Sequence, residues 1–444
     1  MEKEKLKELI VEHKSRFLAR GELIPREIQS RLLPYLAQRE IIILTGVRRS
    51  GKSSLMRLIC ADLIEIQSIP EKNILYLNFE DERLVSFSVS DFEPLYESFI
   101  ETENPDGRKY LFLDEIQNIP GWEKWLNRLY EFEDVKIFVT GSNASLLSSE
   151  TAAALTGRNR QVILWPFSFR EFLKLRGVSY GKKTIYQREK RAGIKRHLRE
   201  YMEIGGFPEV VKTGDATLLE QYYRDILYRD VFSRHSARNI REIKELALYL
   251  ASHPATIQSY KNMSAIIGVQ SVNTVKNYLS ALNDVYLFFF TDMFDYSIKR
   301  QIYNPSKSYG VDTGLAGAVS FKFSKNLGHL YENMVFLELK RRQKEIYYGK
   351  SRKGKEVDFI LKEGLRITDA VQVCVTLADD KTLRRETQAM VEVCEAIEAN
   401  QVQDRNQDQE ASIRMTIITE DEERLIENER GQIRIIPLWK WLIG

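Results

Sequence analysis

The sequence predicts an α/β protein built on a parallel sheet with helices on its faces, and three observations carry that prediction. Short apolar runs at 40–45, 73–79, 110–114 and 135–140 alternate with helix-like stretches, the rhythm of parallel strands joined by helical crossovers. The first run, Ile41-Ile42-Ile43-Leu44, feeds a glycine-containing turn that opens a helix from Ser54 to Ile64. The third, Tyr110-Leu111-Phe112-Leu113, ends in two adjacent carboxylates, Asp114 and Glu115.

The turn carries the most specific signal. Gly46-Val47-Arg48-Arg49-Ser50-Gly51-Lys52-Ser53 fits G-x-x-x-x-G-K-[ST] at every position. Glycines let the backbone curl so that successive N–H groups converge on phosphate oxygens. Lys52 then reaches the β- and γ-phosphates, and the Ser53 hydroxyl ligates Mg²⁺. The following helix N-terminus adds positive potential. The expected nucleotide-binding set is Gly46, Arg49, Ser50, Gly51, Lys52, Ser53 and Ser54, with ATP and Mg²⁺ as ligands. The acidic strand is expected beside the P-loop strand, with Asp114 on the metal and Glu115 polarising the attacking water. The run at 137–140 ends in Gly141-Ser142-Asn143. Ser142 and Asn143 either sense the γ-phosphate and orient the water, or form a turn that caps the next helix. Arg158, in Leu155-Thr156-Gly157-Arg158-Asn159-Arg160, is a candidate to stabilise transition-state charge, in cis or from a neighbouring subunit; a surface salt bridge is the alternative. The catalytic candidates are thus Lys52, Glu115, Arg158 and Asn143. Arg48 and Arg49 are expected to meet a partner domain.

Composition bounds the rest. At roughly 100–200 residues per domain, 444 residues imply two to four domains. A hydrophobic share of 43% supplies ordinary cores. Sixty-six basic against 63 acidic residues leave a formal charge of +3, which gives no reason to expect nucleic acid as a general partner and leaves a local basic patch open. The three cysteines, Cys60, Cys374 and Cys394, form no CxxC pair, and the five histidines are scattered, so neither a disulfide framework nor a zinc cluster is expected. Residues 1–20 are dense in charge and unlike a signal peptide. The longest apolar run, near Val285 to Phe290, is far too short to span a bilayer. A cytoplasmic protein without a membrane partner is expected.

Beyond the sheet, the first forty residues read as charged helix, ending in an amphipathic stretch from Arg26 to Gln38. Residues 169–253 are helical in pattern, broken at Gly205-Gly206-Phe207-Pro208. From Ser264 to Phe290 a short helix, a turn at Gly268 and a second helix, Val272 to Leu282, lead into an apolar strand, which resembles a helix-turn-helix with a following wing. After about Asn326 the pattern is a helix, three strands, a helix and further strands, and the polar stretch 400–410 reads as an exposed loop.

The motifs at 46–53, Leu113-Asp114-Glu115-Ile116-Gln117 with Trp122, Thr140-Gly141-Ser142-Asn143, Leu155-Thr156-Gly157-Arg158, the Pro166–Phe172 segment and Gly205-Gly206-Phe207-Pro208-Glu209 occur together. In this combination the chain resembles the prokaryotic AAA-type P-loop ATPases that carry a C-terminal domain of unknown function, over nearly all of its length from about residue 20. The resemblance implies an N-terminal helical segment (1–38), an AAA-type core (39–175), a helical lid (176–253), a winged helix (254–322) and a PD-(D/E)xK nuclease-like domain (323–444).

An active nuclease of that kind needs clustered carboxylates for a divalent metal and a lysine near the attacking water. The sequence supplies Glu332 and Asp358, but the third element falls at Gln372-Val373-Cys374, with an amide for the carboxylate and a cysteine for the lysine. A fold kept for binding or assembly is favoured over cleavage, with Glu332 and Asp358 free to pair with Arg or Lys. The second helix of the helix-turn-helix offers Asn273, Lys276 and Asn277, a single positive charge where DNA-reading helices carry more. Duplex DNA and a protein surface are both open as its partner, and a trans-acting arginine would require a homo-oligomer. The expected activity is Mg²⁺-dependent ATP hydrolysis coupled to domain rearrangement. The rivals are a nucleotide-gated protein-binding switch and an ATP-driven DNA-processing enzyme.

Overall fold

The computed structural model describes residues 1–19, 21–144, 155–181, 183, 186–232, 237–320, 327–351, 353–401, 412–428 and 430–444. The chain forms two compact units, Met1–Phe167 with Asp284–Tyr286, and Ser168–Asn283 with Leu287–Gly444. Of the expected domain boundaries, the one at 38/39 falls inside the first unit. Those at 175/176, 253/254 and 322/323 fall inside the second.

The first unit is organised by β1 (Ile41–Thr45), β2 (Ile74–Asn78), β3 (Lys109–Asp114), β4 (Val135–Thr140) and β5 (Asn159–Ile163). All neighbours are parallel, in the order β2-β3-β4-β1-β5. Successive residues point to opposite faces and enter different cores. Ile41, Ile43, Leu111, Leu113, Ile137 and Val139 lie in one, whereas Ile42, Leu44, Phe112 and Phe138 lie in the other. Both faces are therefore dry, which explains strands read as continuous apolar runs. The first face packs against α4 (Phe92–Glu103) and α5 (Trp122–Phe132), the second against α2 (Glu27–Leu36) and α3 (Lys52–Glu65).

Two sequence expectations are corrected here. The acidic strand β3 does not lie beside β1; β4 is inserted between them, with Phe138 level with Ile42. β1 and β4 are buried at every position, whereas β2 and β5 expose residues and take the edges. The first forty residues are not one helical stretch but α1 (Lys3–Leu18) and α2, separated by an extended segment that contains Gly21 and Pro25. α1 lies along edge strand β2, with Leu6, Leu9 and Ile10 in one core and Phe17 in the other. There Phe17 stacks on Tyr76 at 3.9 Å between ring centroids. Covering the edge removes a template for intermolecular strand pairing.

The second unit contains the helices α6 (Phe169–Leu175), α7 (Arg188–Ile204), α8 (Pro208–Thr213), α9 (Thr217–Asp225) and α10 (Ala237–Ser252). Next come β6 (Thr256–Gln258), α11 (Tyr260–Ile266), α12 (Val272–Asp284), β7 (Phe288–Thr291), α13 (Ile298–Tyr303) and β8 (Ser306–Gly310), with the three strands antiparallel in the order β6-β8-β7. After α14 (Thr313–Val319) and α15 (Leu327–Arg341) come β9 (Glu345–Lys350), β10 (Glu356–Glu363), β11 (Arg366–Val373), α16 (Asp380–Gln401), β12 (Arg414–Thr419), β13 (Arg424–Asn428), β14 (Gly431–Pro437) and α17 (Leu438–Ile443). These six strands form a mixed sheet in the order β13-β14-β12-β11-β10-β9. One face packs on α16 through Val357, Ile360, Met390, Val393 and Ile417. Most of the expected polar loop at 400–410 lies outside the described residues.

The Gly205-Gly206-Phe207-Pro208 break has a packing cause. Gly205 adopts φ +73°, and a Cβ there would lie 1.9 Å from Asp312 Oδ1. The buried Asp312 carboxylate accepts from the backbone N–H of Gly206 at 2.7 Å and of Leu315 at 2.9 Å. It thereby joins the end of α7 to the start of α14.

Candidate nucleotide site

A parallel sheet brings all its carboxyl ends to one edge, the usual location of a ligand crevice. Register places Leu44 level with Thr140, and Asn78 level with Asp114. Thr45, Thr140, Asp114 and Asn78 therefore line up along that edge, with the Gly46–Ser53 turn rising from β1. Gly46 takes φ +135°, and a Cβ on it would lie 2.2 Å from the Leu164 carbonyl oxygen; no other residue fits. Gly51 precedes α3, which begins at Lys52, two residues earlier than the sequence pattern suggests. Ser53 and Ser54 are exposed in the first helical turn, beside N–H groups that have no intrahelical acceptor.

Lys52 is buried and donates to the carbonyls of Gly46 at 3.1 Å and Val47 at 3.3 Å, with Glu115 Oε1 at 3.9 Å. Ser50 Oγ is buried and has no hydrogen-bond partner among the described residues. Asp114 is 1% exposed. Its Oδ2 accepts from the Tyr76 hydroxyl at 3.1 Å, and its Oδ1 accepts from the Thr140 hydroxyl. Thr140 Oγ1 in turn accepts from the Glu115 N–H at 2.9 Å. That bond holds Glu115 at φ +53°, a left-handed conformation that costs a non-glycine residue on the order of 1–3 kcal/mol. Glu115 Oε2 accepts from Gln117 Nε2 at 2.5 Å. Burial pushes the Glu115 carboxyl above its ordinary pKa; Lys52 opposes the shift and Asp114 adds to it.

Asn143 and Ser142 are buried just beyond β4, on the same edge. Arg49 lies in the loop with φ +70°. Arg48 pairs with Glu80 at 2.8 Å within the same unit. Arg158 requires a larger correction. Its backbone oxygen accepts from Ile41 N–H at the amino end of β1, so it lies across the length of the sheet from the loop, roughly 13 Å at strand rise. Its guanidinium donates to Asn127 Oδ1 at 3.1 Å, approaches Glu131 at 3.9 Å and lies over the Tyr130 ring. In this arrangement Arg158 lies away from its own chain's loop, because β5 runs parallel to β1 and begins level with Ile41.

Sequence reasoning missed Thr140, Tyr76, Arg26 and Tyr286. The buried Arg26 donates to the Ser50 carbonyl at 3.0 Å and the Trp165 carbonyl at 2.7 Å, tying the loop to the segment after β5. The Tyr286 hydroxyl donates to Thr45 Oγ1 at 2.9 Å, next to Gly46. Thr140 ends an apolar strand, a position that could have been flagged; the others carry no local signal.

In the second unit the structure brings Glu332, Asp358 and Gln372 together, while Cys374 bonds elsewhere. Gln372 Oε1 accepts from the Asp358 N–H at 3.1 Å, and Cys374 Sγ lies 3.2 Å from the Thr376 carbonyl. Asn273, Lys276 and Asn277 are exposed on α12, opposite buried Val275, Tyr278 and Leu279.

A five-stranded parallel sheet with a P-loop at its carboxyl edge and two carboxylates one strand removed defines a P-loop protein of AAA type, and the AAA domain family matches residues 38–173. A domain of unknown function, DUF8612, matches residues 195–326. The chain is 33% identical over 440 residues to "Uncharacterized protein MJ1544" of Methanocaldococcus jannaschii, covering 95% of this chain and 91% of that protein. It is 32% identical over 333 residues to an uncharacterized protein of Haemophilus influenzae, covering 73% and 80%. The chain, which carries this AAA domain, belongs to the same family as MJ1544. Among solved structures it is similar to the Aeropyrum pernix ORC1 protein in complex with DNA, at 14% identity and a TM-score of 0.30, covering 68% of this chain and 95% of that one. Among the described residues, no helix is long and apolar enough to cross a membrane.

Proposed function

We propose that this protein is a Mg²⁺-dependent ATPase, in which water attacks the γ-phosphate directly. The supporting observation is the row of Lys52, Thr140, Asp114 and Glu115 along one sheet edge, beside a loop whose Ser50 hydroxyl is buried and unsatisfied. Ser53 and Asp114 would hold Mg²⁺. Two protein donors suit an ion bound mainly by waters and substrate phosphates, and among the described residues no cluster of three or more His, Cys, Asp or Glu side chains is arranged to hold a metal alone. When bound, the ion neutralises charge developing on the phosphate oxygens. Lys52 leaves the Gly46 and Val47 carbonyls to meet the β- and γ-phosphates. Glu115, turned by the Thr140 bond, orients the water and accepts its proton. Asn143 senses the γ-phosphate from the end of β4. Arg158 acts, if at all, from one protomer on its neighbour.

Coupling to the second unit runs, in this reading, through Tyr286. Its hydroxyl touches the last residue of β1, and its chain continues directly into β7. The wing-like arrangement of α11, α12, β7 and β8 then receives the signal and presents Asn273, Lys276 and Asn277 to duplex DNA or a protein. DNA-stimulated turnover would favour the first partner, and turnover indifferent to DNA the second. The nucleotide site is tested by Lys52→Ala. It should lower ATP affinity by about 10²–10³-fold, the loss of one preorganised cationic donor; unchanged affinity in a nucleotide titration would defeat the assignment.

A further inference from the structure

The second unit holds an acidic cluster around a lysine that no motif announces. Lys307, on β8, is 2% exposed. Its ammonium lies 2.8 Å from Glu332 Oε1, 2.9 Å from Asp358 Oδ1 and 2.5 Å from Glu356 Oε1. An ammonium has three N–H donors, and three carboxylates take them. Two of these carboxylates accept further donors. Tyr309 OH donates to Glu332 Oε1 at 2.7 Å, and the Val373 N–H donates to Asp358 Oδ2 at 2.9 Å. Burial alone would pull the Lys307 ammonium down, but Asp358, Tyr309, Glu332 and Glu356 override it and hold it well above the ordinary lysine value.

We infer that Glu332, Asp358 and Glu356 are committed to the protein's own Lys307 ammonium, so that the carboxylates a nuclease-like reading would give to a divalent metal are held by a lysine instead. The positive charge absent from position 374 is supplied from a different strand, and at the centre of the carboxylates rather than beside them. A divalent ion entering between the carboxylates would meet the buried Lys307 charge at about 3 Å, where repulsion is strong. The site therefore ties β8 to α15 and β10 and does no metal-dependent cleavage.

The experiment is a Mn²⁺ titration of the nucleotide-free full-length chain, followed by electron paramagnetic resonance. The wild-type protein and Asp358→Asn should bind the same amount of Mn²⁺. Lys307→Met, which keeps the length and loses the charge, should gain one Mn²⁺ per chain, lost again in Lys307→Met with Asp358→Asn. Wild-type Mn²⁺ binding that Asp358→Asn removes, or a folded Lys307→Met chain that gains none, would overturn the inference. Should Lys307→Met not fold, wild type against Glu332→Gln remains decisive: equal Mn²⁺ binding supports the site as described, and loss of a bound ion overturns it.

Discussion

The two units each set a lysine against paired carboxylates, and the difference in spacing separates a site prepared for chemistry from one that is closed. In the first unit Lys52 rests on backbone carbonyls, with Glu115 at 3.9 Å, so its donors can be transferred to a ligand without breaking a close ion pair. In the second, Lys307 is held by carboxylates at 2.5–2.9 Å on three sides. Buried charges that satisfy one another fully are rigid. A charge held by weak, replaceable partners is available.

Perturbing each lysine sharpens the contrast. Removing the Lys307 ammonium with Lys307→Ala leaves the buried Glu332 and Asp358 carboxylates, with the partly exposed Glu356, facing one another. It should cost about 3–5 kcal/mol, the usual penalty for stranding a buried charge, seen as a lower denaturant midpoint with Mg²⁺-ATP turnover retained in the folded fraction. Lys52→Ala should do the reverse, abolishing tight nucleotide binding while leaving the unfolding midpoint nearly in place. Thr140→Val removes the hydroxyl that holds both Asp114 and the Glu115 backbone, and should slow turnover about 10–100-fold, as loss of an outer-shell partner does. The smallest effect is expected at Arg158. Its alanine variant should change turnover of isolated chains by less than about twofold, because its partners Asn127 and Tyr130 belong to the far end of the sheet and an exposed pair contributes little. A large loss that appears only at concentrations where chains associate would instead assign Arg158 to a neighbour's site.

The sequence made the first unit legible because its chemistry is local. Gly46 to Ser53 is one turn, and Asp114 and Glu115 end one strand whose dry faces force a continuous apolar run. What it hid was long-range. β3 and β4 are equally apolar, so nothing in either told which would lie beside β1. Arg158 follows a glycine in a motif-like context, but its position depends on β5 starting level with Ile41. Lys307 is 25 residues from Glu332 and 51 from Asp358, on a strand of the β6-β8-β7 sheet rather than the sheet that carries Asp358. The pairing of Glu332 and Asp358 with a basic residue was expected; which residue, and from where, required the fold.

The central claim is that Asp114 and Glu115 serve Mg²⁺-ATP hydrolysis. It is tested most directly by phosphate release from ATP and Mg²⁺, comparing the purified chain with Glu115→Gln at equal nucleotide occupancy. The account predicts turnover in the wild type that falls about 10²–10⁴-fold in the variant, the usual contribution of a positioned general base, with ATP still bound. Turnover that is the same in both proteins would contradict it.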